Sequence, residues 1–164
     1  MNGFDEADLH ATLPSLNFTT RTQRISILKK TFFAVISAAA VMFSLAGLYT
    51  GVLAHNFIVN NVDPNLLRNT PNFMLIALGY VVLALLMALL YPRFVRGSRS
   101  PAFDGLRFGL IAGVFWLMPY SLVLFGVYNF PYVALPLDFA WALLEQGTGG
   151  LVIGLIYGKV KKDP

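Results

Sequence analysis

Four long apolar runs dominate the chain and decide what it can fold into. They cover residues 31–53, 73–91, 108–128 and 133–158, and polar or basic segments separate them. A helix rises 1.5 Å per residue, so about 20 apolar residues cross the roughly 30 Å hydrocarbon core of a bilayer. Within lipid a helix also satisfies its own backbone hydrogen bonds. The sequence therefore predicts an all-α membrane protein with four transmembrane helices in an antiparallel bundle.

Composition supports this class and limits the chemistry. The chain of 164 residues is 57% hydrophobic and 12% charged, whereas soluble domains have roughly 25% charged residues. Four spans leave room for one transmembrane domain, residues 31–158, between a polar segment, residues 1–30, and a basic tail, residues 159–164. There are no cysteines, and His10 and His55 are predicted to lie on opposite sides of the membrane. No disulfide, thiol or metal site is therefore expected.

The polar segment allows two interpretations. Phe18, Ile25, Leu28 and Phe32 are spaced to form one side of a helix at the membrane interface. The apolar residues before them are too sparse to make a core. The segment is therefore either such a helix or disordered.

Lysine and arginine side chains predict the orientation. They concentrate before the first run, between the second and third runs, and in the tail. These residues are Arg21, Arg24, Lys29, Lys30, Arg93, Arg96, Arg99, Arg107, Lys159, Lys161 and Lys162. The other two loops share only Arg68. Such residues mark the cytoplasmic side, so both termini are expected in the cytoplasm. The sequence pI of about 9.5 then reflects contact with lipid headgroups, and no nucleic-acid partner is expected.

Two acidic residues inside the fourth run form the candidate site. Asp138 and Glu145 are seven residues apart, which places them within about 20° of each other on one helix face. A charged side chain at mid-membrane costs roughly 2.5–3.5 kcal/mol, and no lysine or arginine lies in any run. Trp116 and Trp141 lie deeper than an interfacial belt, so their indole N–H groups need internal partners. These four residues are predicted to line a path for an ion or solute.

The acids have a second interpretation, in which they are neutral and join the helices by hydrogen bonds. A solvent-accessible cavity that reaches Glu145 favours transport of a proton, a cation or a cationic solute. A dry, tightly packed carboxyl favours a role in assembly.

Small residues predict how the helices pack. In the third run glycines recur every four residues, and in the fourth they lie opposite the acids. These are Gly105, Gly109, Gly113, Gly147, Gly150, Gly154 and Gly158. A similar ladder in the first run consists of Ser37, Ala40, Ser44, Gly47, Gly51 and Ala54. Because small side chains let helix backbones approach closely, each set is predicted to be a packing seam.

Pro119 interrupts the third run. It cannot donate a hydrogen bond to the carbonyl of Phe115 and should kink the helix. Tyr120, Ser121 or a neighbouring helix is expected to supply the missing donor.

The sequence contains no P-loop, dinucleotide fingerprint, HExxH or nucleophile elbow. A non-enzymatic protein without a cofactor is therefore expected. Its size and its two-sided fourth helix favour an accessory or oligomer-forming subunit of a membrane assembly. Its partners would be the bilayer and other membrane chains, or further copies of itself. The alternative is a small proton- or cation-coupled transporter or channel that uses Asp138 and Glu145.

Two groups of membrane proteins are worth comparing. Small multidrug transporters also have four short spans and one membrane glutamate, but theirs lies in the first span of a chain with little charge bias, so the pattern does not match. The plan resembles that of small uncharacterised four-span bacterial membrane proteins. The resemblance covers the first run with its Asn-rich loop, the arginine-bounded second run and the Gly105, Gly109, Gly113 ladder. The resemblance implies that the protein lies in a bacterial inner (plasma) membrane, and it implies no particular activity.

Overall fold

The computed structural model describes residues 13–66, 68, 70–95 and 100–158, with the backbone alone over residues 13–24. The predicted basic tail, residues 159–164, lies outside the described residues. So do Arg96 and Arg99, on which part of the orientation argument rests.

Five α-helices form the described chain, and four of them are long and apolar enough to span a membrane. The α-helices are α1 (Leu13–Leu48), α2 (His55–Asn61), α3 (Phe73–Phe94), α4 (Pro101–Val127) and α5 (Leu135–Tyr157). A π-helical turn (Tyr49–Leu53) follows α1, and 3₁₀ turns (Pro64–Leu66 and Tyr132–Ala134) precede α3 and α5. The all-α class and the four apolar helices predicted from the sequence are confirmed.

Helices α1, α3 and α4 extend beyond the predicted spans at their basic ends, whereas α5 lies within its predicted span. Helix α1 begins at Leu13, so most of the polar N-terminal segment is helical and continuous with the first span. Helix α4 begins at Pro101, seven residues before the predicted start. Ser100 caps it, because its Oγ accepts a hydrogen bond from the backbone N–H of Phe103 at 3.5 Å, and proline is favoured in the first helical position.

Helices α4 and α5 make the most extensive contact in the molecule. Glycines allow it, because a Cβ added at Gly105 would lie 2.9 Å from the Cα of Gly154. A Cβ added at Gly109 would lie equally close to the Cα of Gly147. Early residues of α4 thus meet late residues of α5, so the two helices run in opposite directions with their backbones in contact.

Of the other glycines that the sequence predicts to pack the helices, two lie in this seam and one does not. Gly113 and Gly150 lie in the seam, against Ala142 and Gly109 respectively. Gly158 is not part of it. It ends α5 with φ of +69°, a left-handed conformation that suits glycine, and no described atom lies within 4 Å of where its Cβ would be.

Helix α5 also packs against α1, and α1 packs against α3. Their shared core is apolar and consists mainly of Ala34, Ala38, Met42, Ala84, Met87, Ala88, Tyr91 and Ile153. The Met42 side chain fills the space beside Gly149 on the face of α5 that also carries the acids. The end of the molecule near Lys30 and Tyr157 is therefore closed, and we call it the closed end.

The ladder of small residues on α1 and the π-helical turn has a different environment. Four of its six residues, Ala40, Ser44, Gly47 and Gly51, are exposed, and Cβ atoms added at the two glycines would meet no described atom within 4 Å. Ser37 is half-buried and Ala54 is buried. No helix of the described chain covers this surface.

Candidate functional site

A cavity of about 380 Å³ opens at the end of the molecule opposite the closed end. It lies between α1 and α4, two helices that make very few contacts with each other. The π-helical turn, α2 and the start of α5 complete its wall, and α3 contributes Tyr80. Apolar and aromatic side chains form most of the lining. Asp138 and Glu145 both reach this one cavity.

The π-helical turn shapes one wall. The backbone N–H of Ala54 donates to the carbonyl of Tyr49, five residues earlier, at 2.7 Å. Such a turn widens the helix and often occurs at functional sites. Here the ring of Tyr49 stacks on Trp141 with centroids 4.7 Å apart and planes inclined by 15°. The turn therefore joins α1 to α5 at the level between the two acids.

Glu145 is nearly buried, with 5% of its surface exposed. Tyr80 Oη donates to its Oε2 at 3.3 Å, which joins α3 to α5. Gln146 Nε2 donates to its Oε1 at 3.1 Å. The indole of Trp141 lies near the same carboxyl, but its Nε1 has no partner with hydrogen-bond geometry in the described chain.

Gln146 is wholly buried beside Glu145 in the seam between α4 and α5. Its Oε1 receives no hydrogen bond from any described residue. Buried polar atoms are almost always paired, so this carbonyl oxygen is an open acceptor next to the acid.

Asp138 lies in the first turn of α5, where the helix dipole favours a negative charge. The hydroxyl of Ser121 on α4 donates to its Oδ2. Ser121 was one of the donors expected for the Phe115 carbonyl, and it serves the acid instead. Asp138 and Glu145 are seven positions apart, which separates their Cα atoms by about 10 Å along the helix axis.

The cavity has no positive charge of its own. None of its lining residues, all of which belong to the described chain, is lysine, arginine or histidine. Within the part of the chain that the structure describes, the side-chain donors to the two carboxyls are all neutral hydroxyl and amide groups. A compensating charge must therefore come from a bound proton or a ligand.

The structure brings together three of the four residues that the sequence predicts for the path. Asp138, Trp141 and Glu145 line the cavity, at spacings of three and four residues along α5. Trp116 does not. It lies outside the cavity on the outer surface of α4, with 56% of its surface exposed.

Sequence reasoning did not assign Tyr49, Tyr80 or Ser121 to the site of the two acids. One sequence pattern could have indicated that Tyr80 faces the interior. On α3, inward-facing residues recur at helical spacing along a helix that otherwise faces outward. Those residues are Tyr80, Ala84, Met87, Ala88 and Tyr91. The partner that each side chain meets lies on another helix, so no local pattern identified it.

No protein-family model, curated protein or solved structure matches the chain.

Proposed function

We propose that this protein is a small, non-enzymatic membrane transporter that carries a proton or a cation through the cavity to Glu145. The observation that carries the proposal is the cavity of about 380 Å³ lined by both Asp138 and Glu145. An acid used only to join helices needs no space beside it. An acid that exchanges a proton or binds a cation must be reached from outside.

The closed end favours a transporter over a channel. Between Glu145 and Tyr157 the core contains Met42 and Ile153, both fully buried. The Met42 side chain fills the space beside Gly149, so the cavity ends at the acids. A transporter needs such a one-sided state and a second one that opens the other side, whereas an open channel needs a continuous pore.

The arrangement in the membrane is part of the proposal. The lysine and arginine distribution supports an antiparallel four-helix bundle with both termini in the cytoplasm of a bacterial inner membrane. The cavity then opens on the external side, because it lies at the end that holds α2 and the connection between α4 and α5.

Reconstitution tests the proposal directly. In proteoliposomes with an imposed proton gradient or an ethylammonium gradient, we expect a protein-dependent current from the parent protein. Glu145→Gln should remove most of this current, because the amide cannot exchange a proton or carry a negative charge. Asp104→Asn is the matched control, since Asp104 lies on α4 outside the cavity. A current that survives Glu145→Gln unchanged would exclude the proposed path.

A second candidate function is an accessory subunit of a membrane assembly. The observation that favours it is the exposed part of the small-residue ladder. Gly47 and Gly51 leave a surface without side chains there. Small residues let another helix approach closely, whereas a surface that meets only lipid could equally carry leucine. Gly47→Leu should then release a co-purified chain or dissociate an oligomer on size-exclusion chromatography. The monomer itself should keep its thermal stability.

A further inference from the structure

We infer that the cavity binds a linear organic dication, a diamine with an apolar spacer, with one ammonium group at Asp138 and the other at Glu145. The inference rests on the proposed function and names its substrate class. Three features of the cavity carry it: the position of the two acids two helical turns apart, the apolar wall between them, and the lack of basic side chains in the lining.

The separation of the acids argues against one small ion. Asp138 and Glu145 lie on the same wall, two helical turns apart, with Cα atoms separated by about 10 Å along the helix axis. Their carboxyls are held by different helices, Asp138 by Ser121 on α4 and Glu145 by Tyr80 on α3. A hard cation such as Ca²⁺ collects six to eight oxygens at about 2.3–2.6 Å, so carboxyls held apart in this way do not share one. Each acid therefore needs its own positive charge.

The wall between the acids is apolar and aromatic. Trp141 lies between them, three residues after Asp138 and four before Glu145, with Tyr49 stacked on it. Ala142 and Ala134 add further apolar surface to the lining. A methylene chain fits this surface, and ammonium groups are also attracted to aromatic rings.

Charge balance favours a ligand with two positive groups. When both acids are ionised, a monocation at one acid leaves the other carboxylate to be neutralised by a proton, because the cavity has no basic side chains and an uncompensated charge is costly in an apolar environment. A dication with charges at its two ends compensates both.

The spacing predicts the length of the ligand. Three extended backbone bonds span about 3.3–3.6 Å, so nine bonds between two nitrogens span roughly 10–11 Å. The probe 1,8-diaminooctane has this length. Octylamine has the same apolar chain with one charge, and 1,3-diaminopropane has both charges but is too short.

Calorimetric titration of the purified protein in detergent tests the inference. We expect 1,8-diaminooctane to bind about tenfold or more tighter than octylamine or 1,3-diaminopropane, as one additional charged hydrogen bond would give. Asp138→Asn and Glu145→Gln should each reduce its affinity to about that of octylamine. Asp104→Asn should leave it unchanged. Size-exclusion profiles and thermal unfolding of every variant establish that each is folded.

Three outcomes overturn the inference, and they separate its failure from that of the proposed function. Equal affinity for octylamine and 1,8-diaminooctane, lost with Glu145→Gln, would exclude a dication while leaving a cation path to Glu145 intact. Absence of binding by all three probes to a folded parent, together with a proteoliposome current that does not depend on Glu145, would exclude both. A Glu145-dependent proton current without amine binding would show that the cargo is the proton alone.

Discussion

The hydroxyl of Tyr157 donates a hydrogen bond to the carbonyl oxygen of Ala88 at 3.0 Å. Ala88 lies four residues before Pro92, which is inside helix α3. Because proline has no N–H, it leaves that carbonyl without its usual helical donor. A side chain from the end of α5 therefore completes the hydrogen bonding of α3, and Thr31 on α1 contacts the same hydroxyl at 2.9 Å.

Tyr157→Phe should lower the free energy of unfolding by about 1–3 kcal/mol, because a buried carbonyl loses its donor. Thermal unfolding in detergent measures the loss. Pro92→Ala restores a backbone N–H at this position, so Tyr157→Phe should cost less in that background. The contact with Thr31 is lost in both backgrounds, and the difference isolates the carbonyl. An equal cost with and without Pro92 would contradict the pairing.

Gly109→Ala should separate α4 from α5 and destabilise the protein by about 1–3 kcal/mol, as overfilled contacts do in soluble cores. The new Cβ would lie 2.9 Å from the Cα of Gly147, where only backbone movement can relieve it. Gly79→Ala is the matched control, since no described atom lies within 4 Å of its Cβ position. Thermal unfolding should show a loss for the first variant and none for the second. Equal stability of the two would mean that the seam is not tightly packed.

Glu145→Gln should fold with nearly the stability of the parent. The new amide can accept from Tyr80 and, with the Gln146 amide turned over, donate to Gln146 Oε1 in place of the parent's bond from Gln146 Nε2, so the number of unpaired buried groups does not rise. Glu145→Leu removes the acceptor of both Tyr80 Oη and Gln146 Nε2 and should lower the free energy of unfolding by about 1–3 kcal/mol. If Glu145→Gln is as unstable as Glu145→Leu, the fold requires an ionised carboxylate at this position.

The two tryptophans should differ in their contact with lipid. Trp116 is 56% exposed on the outer surface of α4, whereas Trp141 is covered by Tyr49 and lines the cavity. In bilayers of brominated lipid, the fluorescence of Trp116 in a Trp141→Phe variant should be strongly quenched. Trp141 in a Trp116→Phe variant should be quenched much less. The reverse order would place α4 with its other face towards the lipid.

Reporter fusions test the orientation. Fusions after Lys162 and before Arg21 should both report a cytoplasmic location, because basic residues stay on that side. A reporter inserted at Asn61, in the loop after the first span, should report an external one. A cytoplasmic signal from this loop would rule out the four-span arrangement.

The sequence alone determined the class of protein and the number of apolar helices. Both follow from the hydropathy of consecutive residues, because about 20 apolar side chains in succession suffice to cross a bilayer whatever lies beside them. It also placed Asp138, Trp141 and Glu145 on one side of a helix, because that follows from 3.6 residues per turn. Helix ends were less predictable. Ser100 and Pro101 start α4 early through capping, which hydropathy does not register.

Only the tertiary structure decided what the acids face. Whether Glu145 lies in a dry contact or beside a cavity depends on how far α1 and α4 stand apart, and residues distant in sequence set that distance. The positions of the other helices also decide that Tyr80 contacts Glu145, which the sequence did not predict. They likewise decide that Trp116 lies outside the cavity, although the sequence predicted it to line the path for an ion or solute. A single helix face can meet lipid, a neighbouring helix or open space, and only the positions of the other helices distinguish among them.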